Sequence, residues 1–168
     1  MEFYDVIKQR RSIRGYQNKP IPADALARIG EAVNLAPSAC NLQPWKFLIV
    51  ENKEFREKIC KVYSQPWLAQ APAIAVAFGN NEKCWKRLEG DPIAAVDIGI
   101  AMEHLVLAAT AEGLGTCWIC AYNVAAMNEA LQVEEPWTTL AISPLGYPAA
   151  EPIPLKRKSL REVFEVMK

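Results

Sequence analysis

Pro37-Ser38-Ala39-Cys40-Asn41-Leu42-Gln43-Pro44-Trp45-Lys46-Phe47 is the stretch on which the reading of this chain turns. Core packing does not call for two prolines, two carboxamides and an indole in so short a run. Pro37 and Pro44 stop helices and fix local φ. Ser38, Asn41 and Gln43 offer donors and acceptors to a polar ligand. Trp45 to Val50 then turns strand-like. A rigid polar loop running straight into a strand is a good place to hold a small molecule.

Outward from this loop, helices and strands alternate irregularly. Tyr4 to Gln9 reads as a short helix and Arg10 to Tyr16 as extended chain, with a turn over Asn18 to Pro22. Pro22 to Leu35 is predicted helical, with Leu26, Ile29, Val33 and Ala36 on one face. Lys46 to Val50 is a predicted strand, and Asn52 to Tyr63 an amphipathic helix with Phe55, Ile59 and Val62 inward. Pro72 to Gly79 is nearly all apolar, which predicts a strand buried on both faces. Asn80 to Pro92 is polar and reads as a loop. Ile93 to Glu112 is expected to be a long buried helix ending at Gly113. Thr116 to Ala121 and Thr138 to Leu145 are predicted strands, with a helix over Val124 to Leu131 between them. The proline-bearing segment from Pro144 reads as an extended arm, followed by a helix over Ser159 to Met167. The pattern predicts an α+β fold rather than a doubly wound sheet, in one domain over residues 1–168.

Bulk composition narrows the function classes. Nineteen basic residues balance nineteen acidic ones, which argues against general nucleic-acid affinity. Met1 to Asp5 begins acidic and lacks an apolar core, so no signal peptide is expected. The apolar run from Ile93 to Ala111 contains Asp97, Glu103 and His104, which speaks against a membrane span. Five scattered cysteines, with no export signal, predict free thiols in a reducing cytoplasm. Cys117-Trp118-Ile119-Cys120 has CxxC spacing. On a predicted strand, however, residues three apart face opposite sides, so a disulfide between them is geometrically poor. A zinc site would need more ligands than this pair, and the chain has one histidine.

The chemistry-bearing residues are arginines rather than acids or nucleophiles. Arg10, Ser12 and Arg14 are spaced by two, so in extended chain they project from one side, with Arg11 and Ile13 on the other. Guanidinium groups and a hydroxyl so placed match a phosphate or similar anion. A solvated basic strand is the plainer alternative, and Lys156-Arg157-Lys158 has the same ambiguity. Gly113-Leu114-Gly115 precedes a predicted strand rather than a helix, so it is no dinucleotide fingerprint. His104 lies in the most apolar helix and reads as a core or interface residue. Asp97 and Glu103, on that helix, read as polar contacts at a subunit boundary. Groups that hold a ligand, without an acid, base or nucleophile, point to a cofactor that does the chemistry.

Four motifs together resemble the flavin-dependent nitroreductase family: Arg10-Arg11-Ser12-Ile13-Arg14, the Pro37–Phe47 loop, Gly113-Leu114-Gly115-Thr116-Cys117-Trp118-Ile119, and Lys156-Arg157-Lys158. They occur in the family's order and cover nearly the whole chain. The resemblance implies a mainly antiparallel sheet flanked by helices, in an intertwined homodimer with FMN at the subunit interface. It places Arg10 and Ser12 at the FMN phosphate or ribityl chain, Arg11 nearby, and Arg14 near the N1/O2 edge of the flavin. Pro37, Ser38, Ala39 and Asn41 would line the flavin from the partner subunit. Gln65 would meet the pyrimidine edge. Ile119, Cys120 and Ala121 would pass the N5 side, Leu145 and Gly146 would lie near the ring, and Arg157 and Lys158 would complete the phosphate site.

The activity so implied is ping-pong reduction. NADH or NADPH passes hydride to the flavin and leaves, and a nitroaromatic, quinone or similar acceptor is then reduced. Two other readings stand beside it: a different chemistry on the same fold, such as dehalogenation, flavin fragmentation or ring dehydrogenation, and a flavin-binding sensor without catalysis. The chain is short for the family. Only Asn80 to Pro92, with Trp85, could cover the flavin, and the arm that wraps the partner is expected to be reduced.

Overall fold

A computed structural model describes all 168 residues. The chain runs α1 (Phe3–Gln9), α2 (Ala23–Asn34), β1 (Trp45–Val50), α3 (Lys53–Val62), β2 (Ala73–Asn80), α4 (Ala94–Ala111), β3 (Gly115–Thr116), α5 (Val124–Leu131), β4 (Trp137–Gly146) and α6 (Leu160–Val163). The four strands form one antiparallel sheet in the order β1-β2-β4-β3. The expected α+β architecture is present.

Two helical layers cover the sheet, and β2 explains how. Its alternate residues Ala73, Ala75 and Ala77 join α2 and α4 in one core, with Ile29, Ile98, Met102 and Leu105. Ile74, Val76 and Phe78 face the other way and join Ile59 of α3, Met127 of α5 and Ile142 of β4. Every residue of β2 is buried, as a continuously apolar strand requires. The small side chains on one face let α4 lie close over the sheet. By length and composition α4 could cross a membrane, but Ile98, Met102, Leu105 and Ala109 seat it in the core. Its outer residues Val96 and Ile100 are exposed, as are Phe3, Tyr4 and Ile7 of the adjoining α1.

Helix ends follow the local chemistry. Asn52 caps α3 by accepting the Phe55 N–H at 3.1 Å, and Asn123 caps α5 by accepting the Ala126 N–H at 2.9 Å. α4 stops where Gly113 takes φ +75° and Leu114 N–H returns to the Ala109 carbonyl at 2.8 Å.

The predicted strand from Thr116 to Ala121 is cut short. Gly115 and Thr116 pair with Gly146 and Leu145, and Ile119 pairs again with Ile142 in the same register. The interruption falls opposite Pro144, which has no N–H to give the ladder. Cys117 N–H turns instead to the Ser143 hydroxyl at 3.2 Å. The predicted C-terminal helix is also shorter, confined to Leu160–Val163, and Phe164 is already extended. Residues 151–168 are exposed almost throughout, with Ile153, Leu155, Leu160, Val163, Phe164, Val166 and Met167 facing solvent. His104 is half-buried and ties α4 to α2, its Nδ1 2.9 Å from the Ala32 carbonyl.

Candidate active site

The basic segment is welded to the sheet at β3. Ser12 bridges Thr116, and Ile13 N–H donates to the Thr116 carbonyl at 2.8 Å. Ile13 and Tyr16 are buried, and Tyr16 Oη donates back to the Ile13 carbonyl at 2.7 Å. These contacts hold the chain extended and aim its alternate side chains outward. Gly115 makes the approach possible, since a Cβ there would fall 2.8 Å from Ile13 Cγ1. Gly115→Ala is therefore expected to push the basic segment off the sheet and destabilise the fold by about 1–3 kcal/mol, read as a lower urea midpoint.

Arg10, Arg11, Ser12, Arg14 and Arg157 line one cleft of about 290 Å³ with Ile153 and Leu155. Two basic clusters nearly 150 residues apart in sequence are thus brought together. No carboxylate lines this cleft. Arg11 departs from the alternation expected for an extended strand. It shares the cleft because its Nη2 reaches the Ile153 carbonyl of the C-terminal arm. Its Nε is buried with no acceptor. A buried guanidinium N–H without a partner, among three further arginines, is a donor awaiting an anion. Lys158 is exposed beside this cleft and does not line it.

Behind the cleft lies Cys117. Burial raises its thiol pKa, against the opposing pull of Arg14, a hydrogen bond with Ser12, and Arg10. Cys117 is buried and Cys120 exposed, and all five cysteines are free. Arg14 lies with its guanidinium carbon 5.9 Å from the Trp67 ring centroid, a stacking partner the sequence reading missed. Gln65 is exposed two residues from that tryptophan. Ile119 N–H is committed to the Ile142 carbonyl at 2.9 Å, whereas the amides of Cys120 and Ala121 donate to no main-chain carbonyl. Leu145 and Gly146 offer no side chain to a ligand. Leu145 is fully buried in the core, and Gly146 packs so closely that a Cβ would fall 2.6 Å from Pro72 Cδ.

The Pro37–Pro44 loop lies far from this cleft. It enters β1 at Trp45, which pairs with Gly79 at one end of β2, whereas Ser12 meets the sheet through Thr116 and Leu145, opposite Ala73 at the other end. Three strand spacings separate β1 from β3, about 14 Å, and Ala73 to Gly79 adds roughly 20 Å along the strands. The two groups of predicted ligand-binding residues thus occupy diagonal corners of one sheet. Within the loop, Cys40, Asn41 and Gln43 have φ of 51°, 53° and 47°. Left-handed residues other than glycine are concentrated where a ligand or function demands the shape.

A sequence profile of the nitroreductase family matches residues 7–62 and 59–147. A Methanothermobacter thermautotrophicus protein, provisionally named an NADH dehydrogenase/NAD(P)H nitroreductase, is 33% identical over 90% of this chain and 80% of its own length. An FMN reductase [NAD(P)H] of Bacillus subtilis is 34% identical over 86% of this chain and 66% of its own. A protein named iodotyrosine deiodinase, from Thermotoga neapolitana, is 23% identical over 86% of this chain and 88% of its own. The crystal structure of a nitroreductase family protein from Clostridium novyi NT superposes with a TM-score of 0.80 at 37% identity, covering 88% of this chain and 86% of that one. The chain belongs to the nitroreductase family, and its fold is that of the family's oxidoreductases.

Proposed function

We propose that the protein is an FMN-dependent oxidoreductase that takes electrons from NADH or NADPH, passes them to nitroaromatic, quinone or similar acceptors by a ping-pong mechanism, and works as a homodimer. The observation that carries this reading is the arginine-rich cleft with its buried, unpartnered Arg11 Nε. A phosphate monoester supplies the charge and the acceptor oxygens such a cleft lacks. The FMN named on a 34%-identical relative supports the same ligand.

When bound, FMN supplies hydride acceptance and donation, which explains a site without acid, base or nucleophile. The chain's own residues bind, orient and charge the site. Arg10, Arg11, Ser12 and Arg157 hold the phosphate, with Lys158 adding long-range charge. Arg14, steadied against Trp67, brings a positive charge toward the ring and favours the reduced anion. The free amides of Cys120 and Ala121 are donors available to the ring edge. Pro37, Ser38, Ala39 and Asn41 come from the partner copy, a reading that their separation from the cleft within one chain supports.

The same pairing accounts for the exposed apolar surface of α1 and α4. It also gives the C-terminal arm a seat. β1 is an edge strand, and Leu48 with the neighbouring Phe78 and Trp137 lines a groove that Lys46, Gln132 and Glu134 share. An extended segment carrying Phe164, Val166 and Met167 fits such an edge on a second copy. Free thiols fit the reducing cytoplasm.

An absorbance spectrum of purified protein, followed by anaerobic titration with each nicotinamide, tests the proposal. Bound flavin bleached by NADH or NADPH is the expected result. A protein that neither carries nor takes up FMN sinks it. Bound FMN that neither nicotinamide reduces points to a sensor, and reduction without turnover of nitroaromatics or quinones points to another chemistry on this fold.

A further inference from the structure

The left-handed residues Cys40, Asn41 and Gln43 need something to hold them. Part of the support is internal: Ser38 Oγ accepts the Gln43 N–H at 2.9 Å, and Asn41 Oδ1 accepts from Gln43 Nε2 at 2.8 Å. These bonds shape the loop without placing it on the fold. Placement comes from two anchors outside. Asn80 N–H donates to the Pro44 carbonyl at 3.0 Å, and Asp97 Oδ1 accepts the Ala39 N–H at 3.0 Å.

Asp97 is an unusual anchor. It sits in the first turn of a mostly apolar helix, 2% exposed. The helix dipole favours a negative charge there, yet its second oxygen, Oδ2, is buried with no partner. A buried carboxylate using half its acceptors is costly, so core packing alone does not explain it.

We propose that Asp97 is a positioning residue for the flavin site: through the Ala39 N–H it sets the left-handed Cys40–Asn41 turn in the shape that meets FMN held by the partner copy. This inference rests on the FMN reading and deepens it.

Full-length Asp97→Ala and Asp97→Asn test it beside Arg10→Ala, with FMN affinity read from quenching of flavin fluorescence and melting of the apoprotein followed in parallel. Asp97→Ala is expected to weaken FMN binding about tenfold, the effect of one lost hydrogen bond. Asp97→Asn keeps an acceptor oxygen and should stay within about threefold of the parent. Should the alanine chain not fold, Asp97→Ser, too short to reach Ala39, replaces it with the same expectation. If Arg10→Ala weakens binding while Asp97→Ala lowers only the melting temperature, Asp97 is merely structural and the inference is overturned. Equal losses in Asp97→Ala and Asp97→Asn overturn it as well, because the acceptor is then not the cause. If the parent protein binds no FMN at all, the flavin reading itself fails and takes this inference with it.

Discussion

Arg10→Ala is expected to weaken FMN retention by roughly ten- to a hundredfold, the affinity equivalent of about 1.5–3 kcal/mol for a hydrogen bond to a charged group. Arg10 lines the cleft with Arg11, Ser12, Arg14 and Arg157, and nothing acidic lies among them. Its loss leaves the phosphate dianion under-compensated. The alanine chain should still fold, because Arg10 is half-exposed and makes no ion pair. Equilibrium dialysis against FMN checks the result, and the weakening should grow smaller as salt is raised, since part of it is charge attraction. Unchanged affinity at low salt would remove the phosphate assignment. Arg157→Ala should act in the same direction, which Lys156 or Arg161 on the same arm need not do, since neither lines the cleft.

Removing residues 159–168 is expected to have a larger effect. The arm makes little use of its own chain: Leu160, Val163, Phe164, Val166 and Met167 are all more than half exposed. Beyond the short helix, Phe164 and Val166 lie two apart on extended chain and so share one side that a partner can cover. If that partner is the β1 edge of a second copy, truncation turns a dimer into a monomer on size-exclusion chromatography. FMN should then leave too, by on the order of a hundredfold in affinity or more, because the Pro37–Asn41 contribution goes with the partner. Arg157 and Lys158 remain in the truncated chain, so loss of FMN cannot be charged to a missing phosphate ligand. A truncated protein that stays dimeric and yellow would show that the arm is not the clasp.

Much of the fold was legible because its signals are local. The helix over 94–111 is legible from its apolar run and from Gly113, which takes the left-handed conformation that closes a helix at no side-chain cost, and β2 reads as buried on both faces because it has no polar residue before Asn80. The failures were not local. The strand after Gly115 stops at Thr116 because Pro144, on a different strand nearly thirty residues later, cannot donate to it. The helix from Ser159 shrinks to Leu160–Val163 because no core of its own chain receives its apolar face.

The site divides the same way. The arginine spacing and the polar loop were visible as residue types with known chemistry, and their order along the chain carried the family resemblance. That Arg11 shares the cleft with Arg10 was not visible, since it depends on the Ile153 carbonyl arriving from the far end of the chain. Asp97 stood out only as a charge in an apolar helix; its bond to Ala39 joins residues 58 positions apart.

Taken alone, the sequence determined most of the elements, the family and the chemical character of the ligand, because propensity, patterning and side-chain chemistry act over a few residues. The tertiary structure alone decided where those pieces stand: the arginines gathered at the β3 corner and the Pro37–Asn41 loop at the corner diagonally opposite. That separation follows from strand order and register, which the long-range pairing of the sheet sets. It is also the physical reason to propose, as the family resemblance implies, that the loop serves the site of a second copy.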